Sequence, residues 1–545
     1  MFQENNINNC SVERLDHFGV VAGVIKDLNI VGMIDERLGT YSGETLTAGE
    51  AVAGMIINGL GFSNRPVSLT PQFFENKPLS LLFREGVEAK DFNRFKLGRV
   101  LDRCHNYGTE LLFSEISLNV CHQEEVNTQF NSLDTTSFTL SGDYVSESEE
   151  DTIEVKLGHS KDHRPDLKQV MLEMMVSHDG GIPLLGKSLD GNASDNVVFT
   201  ERTKDLIEEF KGTETPRYLI ADSKLYNEKN ASNLKELPFI TRVPNTIKLV
   251  GKTIEEALDV PNNWQFLDDD RKMQSFMIDH YGIEQRWHVV SSEMSQQRAE
   301  KKVNKRVKKE AKSIEKQLFH LQAKRFKCLG DAEAAVSELS KKWKNYQLKE
   351  YKIVEHLNFK SKGRPKKAEL PIGINYQVIA KSEINEIKIN QLKDKEACYV
   401  IGSNIDLCQL NDKEVVATYQ SQYHVERGFR FLKDPLFFVS SLFLKSPKRI
   451  MSLLMVMLLS LLVYGIAERR MRACLKEQEE TLPNQIGLKV ERPTLRWIFQ
   501  LLDGIDLLNI SIKHQSYKIM NGITSLRQKI LLLFGTTVAN IYQIS

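Results

Sequence analysis

Along the first 120 or so residues, apolar side chains recur at three- and four-residue intervals, the spacing of a helix face. In LTAGEAVAGMIINGLGF, Thr47 and Glu50 have capping-box spacing, Val52, Met55, Ile56 and Leu60 follow at helical intervals, and Gly59 and Gly61 supply a stop. KLGRVLDRCHNYGTELLFSEI repeats the pattern, so residues 1–124 are expected to form an all-helical N-terminal module. Beyond it, QFNSLDTTSFTL, KQVMLEMMVSHDGG and IPLLGKSLDGN are β-branched or apolar runs bounded by Gly, Asn and Asp, which predicts consecutive antiparallel strands. VVFTERTKDLIEEFKG then reads as a helix, and RYLIADSKLY and FITRVP as two further strands, the first of them buried. This order predicts an α/β core with a mixed sheet, beginning over residues 125–248.

Residues 249–400 interrupt that core. WQFLDDDRKMQSFMIDHYGIEQRWHVVSS predicts two or three strands, and a long helix follows with Val303, Val307, Ile314, Leu318 and Leu321 in one apolar stripe. Gly330 breaks it, Asp331 caps a second helix bearing Ala335, Val336, Leu339 and Trp343, and the expected product is a helical hairpin. Residues 401–480 return to the core, and 481–545 are expected to be helical. Within the former, IMSLLMVMLLSLLVYGI at 450–466 has seventeen residues, short of the roughly 20 that span a bilayer. Ser446 and Pro447 form a cap and first turn, so a core helix is expected there rather than a membrane span.

Composition narrows the class. A chain of 545 residues, 41% hydrophobic and 27% charged, is too apolar for disorder and too polar for a multi-span membrane protein, and its length predicts several domains. Lys+Arg 73 against Asp+Glu 72 leaves a net charge of only +1, yet residues 298–327 hold twelve Lys or Arg and three acids. That arm is either a solvated helix face or a surface turned toward nucleic acid. Next to it, Gly363-Arg364-Pro365 in KSKGRPKKAE has the core of an AT-hook, in which Arg364 would lie in a narrow minor groove, and equally the composition of a basic linker. The seven cysteines form no C-x-x-C pair and no basic n-region precedes an apolar stretch, so reduced thiols in a cytoplasmic protein are expected.

Two acids stand where a sheet presents them: Asp134 follows FNSL and Asp222 follows RYLIA, each at or near the end of a predicted strand. In VVATYQSQYHVERGFRFLKDP, Tyr419, Glu426 and Lys433 recur every seven residues, so one continuous helix would present them on one face with Arg430 nearby. A carboxylate there suits a metal and the phenol and cations suit phosphates, while Glu426 and Arg430 also have the spacing of an ordinary surface ion pair.

The order Asp134, Asp222, Glu426 resembles the catalytic triad of DDE transposases of bacterial insertion sequences. The glutamate segment resembles the signature Y-x2-R-x3-E-x6-K of the YREK group, with Tyr419, Glu426 and Lys433 in place and Gln422 where that group has Arg, a contact that Arg427 or Arg430 would replace. GHSKDHRPDLKQ, GNASD and DHFGVVAGVIKDLNIVGMID also look like blocks of the family. The resemblance implies a ribonuclease H-like fold with an insertion before the glutamate. It implies two Mg²⁺ or Mn²⁺ ions on the three acids and cut-and-paste transposition of double-stranded DNA, from terminal inverted repeats into a target. Tyr419, Arg427, Arg430 and Lys433, with Lys161, Arg164, Lys168 and Arg364, are then the expected DNA contacts. Joining two ends implies a homodimer on DNA, with no membrane and no small-molecule cofactor. The competing class is a repurposed, inactive transposase that only binds DNA.

Overall fold

The computed structural model describes residues 7–63, 65–142, 144, 151–161, 164–211, 217–360, 370–437, 444–512 and 515–544. Its first element is a strand, Ile7–Arg14 (β1), a departure from the all-helical expectation. Helices follow at Phe18–Asp27 (α1), Ile30–Leu38 (α2), Ala48–Leu60 (α3), Thr70–Phe74 (α4), Leu79–Leu82 (α5), Arg94–Tyr107 (α6) and Thr109–Gln123 (α7). The capping box is present: Glu50 N donates to Thr47 Oγ1 at 3.1 Å and Thr47 N to Glu50 Oε2 at 2.9 Å.

Strands Phe130–Leu140 (β2), Lys168–Ser177 (β3) and Pro183–Leu189 (β4) come next, then Asp195–Lys211 (α8), Tyr218–Ala221 (β5), Ala231–Glu236 (α9) and Phe239–Val243 (β6). In space their order is β4-β3-β2-β5-β6. The β2–β3 and β3–β4 pairs are antiparallel, and the β2–β5 and β5–β6 pairs are parallel. Three antiparallel strands followed by two parallel ones on the far side of the first, with helices in the crossovers, is the ribonuclease H-like order.

The chain then enters Lys248–Asp259 (α10), Gln265–Phe266 (β7), Arg271–His280 (β8), Ile283–Ser292 (β9), Glu293–Ala323 (α11), Leu329–Lys341 (α12), Tyr346–Asn358 (β10), Gly373–Ile384 (β11), Glu386–Glu396 (α13) and Cys398–Ser403 (β12). Residues 242–416 form a compact unit of their own; those up to Thr241, together with those from Ala417 onward, form the other. In the smaller unit β9 pairs with β12 and β8, and β10 with β11. The two expected helices, α11 and α12, are present and meet at Leu321, Ala332 and Val336, but elements outside the pair also pack on them. Val303 and Val307 of α11 pack on Ile389 of α13, and Leu321 joins Phe326, Ala332, Val336 and Val378 of β11 in a second cluster. Gly330 lies inside the first turn of α12, which is capped by Cys328 rather than Asp331: Asp331 N donates to Cys328 Sγ at 3.3 Å.

The chain returns to the larger unit part-way along Asp412–Gln420 (α14) and continues with Tyr423–Leu432 (α15) and Pro447–Glu477 (α16). After these come Leu482–Pro483 (β13), Lys489–Val490 (β14), Leu495–Leu501 (α17), Asp506–Ile512 (β15), Gln515–Asn521 (β16), Ser525–Leu532 (α18) and Thr536–Ile541 (α19). The tail is therefore not purely helical. Strand β15 lies between β1 and β16, so the two ends of the chain share one sheet.

Helix α16 is apolar enough to cross a membrane, with a mean hydropathy of 2.5, but 94% of that window is buried inside the protein. It begins with Pro447 at its first position, as expected, although Ser446 makes no side-chain cap. Ser452 Oγ donates to Leu101 O at 2.7 Å, and Arg449 holds Asp102 with two bonds of 2.8 and 2.7 Å. Gly186 of β4 lies so close that a Cβ would sit 2.3 Å from Leu458 Cδ1. With its apolar length satisfied by protein, Leu454→Ala, at a fully buried position, should cost about 2–5 kcal/mol, read as a lower urea midpoint of unfolding.

Candidate active site

Strand β2 runs on past Asp134 beside β3, where Asp134 faces Met174, so this acid lies within a strand and not at its end. Toward β5, however, the parallel ladder ends at Leu133↔Ala221. Asp134 and Asp222 are the next residue on each strand, so they leave the ladder side by side. Asp222 is fixed by Lys224 N, which donates to Oδ1 at 2.9 Å, and by Thr241 Oγ1, which donates to its carbonyl at 2.8 Å.

Side chains directly opposite in an antiparallel pair share a face, as do alternate residues of a strand. Asp134 therefore shares a face with Met174, Ser132 and Phe138. Helix α15 lies over that face. A Cβ on its Gly428 would be 2.8 Å from Met174 Cε, and Lys433 Nζ sits 5.7 Å from the centre of the Phe138 ring. At the other end, His424 and His178 have ring centres 6.0 Å apart, and His178 Nε2 is 2.7 Å from Ser132 Oγ. Ser132 and Phe138 bracket Asp134, so the helix carrying Glu426 crosses above it. Val425, Gly428, Phe429 and Leu432 are buried beneath α15, whereas Glu426 and Arg430 are exposed.

The two histidines lie outside the sequence-predicted set. Burial lowers both to about 4, with His424 adding to the effect on His178, so both are neutral at ordinary pH. They seat the start of α15 against the β3–β4 turn, where Gly181 has φ +71. The signal available in the sequence was SHDGG, a turn whose histidine has a second histidine beside the glutamate segment.

Burial pushes the Asp134 carboxyl up to about 6; Lys161 opposes this, as does the Thr135 N–H, while the Asp222 charge adds to it. Lys161 Nζ is 3.9 Å from Asp134 Oδ1 and donates to Thr135 Oγ1 at 3.0 Å. Its loop is held by backbone contact between two of the blocks read from the sequence. A Cβ on Gly158 would be 2.1 Å from Gly191 O, and Gln169 Nε2 donates to that same oxygen at 2.6 Å.

The remaining expected contacts are spread out. Tyr419 is at the end of α14, and the chain turns at Ser421 and Gln422 before α15 begins, so the seven-residue spacing is not carried by one helix. Within the turn Gln422 N bonds Tyr419 O at 3.1 Å, an i to i−3 contact that replaces the helical ladder. Arg427 is ion-paired with buried Glu468, which also binds Arg472 at 3.0 Å. Arg164 is paired with Asp166 at 2.8 Å, and Lys168 Nζ donates to Tyr144 O at 2.5 Å. Arg364 lies outside the described residues.

A ribonuclease H-like sheet with two acids side by side on its central strands, and a glutamate helix laid over the same face, defines a polynucleotidyl-transferase core. The chain belongs to the Transposase DDE domain family, whose model matches residues 131–463. A domain of unknown function, DUF4277, matches residues 10–118. Among solved structures, a cryo-EM piggyBac transposase synaptic complex with hairpin DNA is distantly similar. Its TM-score is 0.36 at 10% identity, with 91% of this chain and 82% of that one covered. No curated protein matches the chain in sequence.

DDE transposases depend on a divalent metal. Asp134 and Asp222 fit such an ion as adjacent hard oxygen donors whose mutual repulsion a cation would relieve. Among the described residues no three His, Cys, Asp or Glu side chains gather closely enough to hold a metal, and Glu426 is on the exposed side of α15.

The raised affinity of Asp134 for its proton has a defined sign. Its folded value of about 6 lies above the ordinary 3.8, so the ionised side chain opposes folding above pH 6 and ceases to do so below about 4. In EDTA, Asp134→Asn should exceed the parent in stability by about 1–3 kcal/mol at pH 8, and the gain should fade below about pH 4 in paired urea titrations.

Proposed function

We propose that this chain carries out cut-and-paste DNA transposition, and that Asp134, Asp222 and Glu426 are its catalytic acids. The observation that carries the assignment of the acids is the β2–β5 register, which sets two carboxylates side by side beneath the glutamate helix. The three acids would hold two Mg²⁺ or Mn²⁺ ions, which when bound activate an attacking oxygen and stabilise a leaving one.

The substrate is double-stranded DNA ending in terminal inverted repeats. Water attacks the phosphorus at the element end, the P–O3′ bond breaks, and a free 3′-OH is released. That hydroxyl then attacks a target phosphodiester and displaces a new 3′-OH, so no covalent protein intermediate is needed. Lys433, above Phe138, and exposed Arg430 stand beside this face and would grip the flanking phosphates, with Tyr419 contributing from α14. Lys161 sets a fixed positive charge beside Asp134 and would accompany the phosphate as it approaches. Arg164, Lys168 and Arg364 are further candidates for the backbone. Arg427 acts through Glu468, anchoring α15 to α16 rather than reaching for DNA, so the YREK assignment rests on Tyr419, Glu426 and Lys433. Two ends to be joined call for two active sites, hence a homodimer on DNA in a nucleoid-associated bacterial protein.

Asp134→Ala and Glu426→Ala should each abolish Mg²⁺-dependent nicking of an element-end duplex, by at least about 10³-fold, while gel-shift binding persists. Nicking that survives either change defeats the metal-site assignment, and a parent protein that binds without nicking in any divalent metal is the repurposed, DNA-binding form.

A further inference from the structure

The basic arm left two readings open in the sequence, a solvated face or a nucleic-acid surface, and its packing separates them. Helix α11 buries Ala299, Val303, Val307, Ile314 and Leu321 along one side. At about 100° per residue, Lys301, Lys305, Lys308, Lys312 and Lys316 fall within a strip roughly 80° wide, centred about 180° from that buried stripe. All five are exposed, and none has an ion-pair or hydrogen-bond partner among the described residues.

The neutralised cations lie elsewhere on the helix. Glu396 of α13 holds Lys302 at 2.5 Å and Arg306 at 2.6 Å, on the flank between the strip and the core. Of the acids of α11 itself, Glu300 pairs with Lys393 and Glu310 binds Asn345, while Glu315 borders the strip. Solvated helices usually alternate charges so that neighbours cancel. Here cancellation is confined to the flank, and an uncancelled row of five cations about 22 Å long remains on the side opposite the buried stripe.

We infer that this strip is a sequence-independent docking surface for duplex DNA, lying alongside phosphates over about six base pairs. The inference draws on the family for the partner and on α11 for the place, and does not depend on the assignment of the three acids. A row of ammonium groups on a straight helix offers point charges without a forked or aromatic reader, which suits backbone phosphates and not base edges.

The test is the salt dependence of binding to a random-sequence 30-base-pair duplex in EDTA, using the full chain. A variant carrying Lys301→Gln, Lys305→Gln, Lys308→Gln and Lys312→Gln should lose about 3–4 from the slope of log affinity against log salt, since each phosphate contact contributes about 0.9. A control with the same charge change scattered over exposed sites, Lys229→Gln, Lys235→Gln, Lys252→Gln and Lys413→Gln, should change the slope by less than about 1. Circular dichroism melts of both variants must match the parent. An unchanged slope in the strip variant, as for a strip that serves an acidic protein instead, overturns the inference, and so does an equal loss in the control. Slope loss with no nicking by the parent would overturn the catalytic reading alone, and nicking with no slope loss would overturn this one alone.

Discussion

The site depends on one register. Strands β2 and β5 are parallel, and their ladder stops at Leu133↔Ala221, so the first residue beyond it on each strand is an aspartate. A slip of one residue would turn every β2 side chain to the other face, sending Asp134 away from α15 and Phe138 away from Lys433. The register is secured on the other edge by the long antiparallel pairing with β3, from Asn131↔Ser177 to Leu140↔Lys168. Burying a carboxylate and setting a second one beside it are both costly, and the raised proton affinity of Asp134 reflects chiefly the burial, with a smaller contribution from the Asp222 charge. The fold tolerates it because the surrounding ladders leave the strands no alternative, as expected where a site stores unfavourable interactions for later use.

Helix α16 converts that local arrangement into a rigid one. Its apolar length packs against α1, α3, α6, α7 and β4, so the N-terminal helices and the catalytic sheet share one core. Its polar end is equally specific. Glu468, 2% exposed, receives Arg427 from the glutamate helix, Arg472 from its own next turn, and the Leu495 N–H at 3.1 Å. Such a buried carboxylate is tolerable only when fully paired, and losing one partner leaves a charge that is expensive to bury. Arg469 reaches Asp179 in the turn that also seats His424, and Arg470 ties Glu124 to Asp27. Position and stability of α15 therefore come from the same few residues.

Local signals in the sequence identified local structure. The capping box at Thr47, the β-branched and apolar runs of β2 to β4 and the strand before Asp222 were all legible because neighbouring residues determine them. The strand β1 was not, since its partner β15 lies at the other end of the chain and only long-range pairing makes it a strand. The break at Ser421 and Gln422 was hidden for a different reason. Seven-residue spacing tests whether residues would share a face on a continuous helix, and no Gly or Pro in TYQSQYH announces that the ladder is interrupted. Arg427 was legible as a cation near the glutamate but not as a partner of Glu468, because the pairing crosses from one helix to another.

The near-equality of 73 basic and 72 acidic residues acquires a spatial meaning in the structure. On α11 the acids of neighbouring elements neutralise only the flank, and the outward strip keeps its charge. In the larger unit the Asp134 face has a mixed character, two acids with Lys161 and Lys224 acting on Asp134 and Lys433 over the neighbouring Phe138. The two carboxylates oppose the approach of a polyanion to this face, and a bound metal would relieve that opposition. Uncancelled cations on a different element would add long-range attraction without lowering the affinity of the acids for metal. Keeping the strip and the acid pair on separate compact units would let attraction of DNA and binding of metal be set independently, and a net charge close to zero is compatible with that separation.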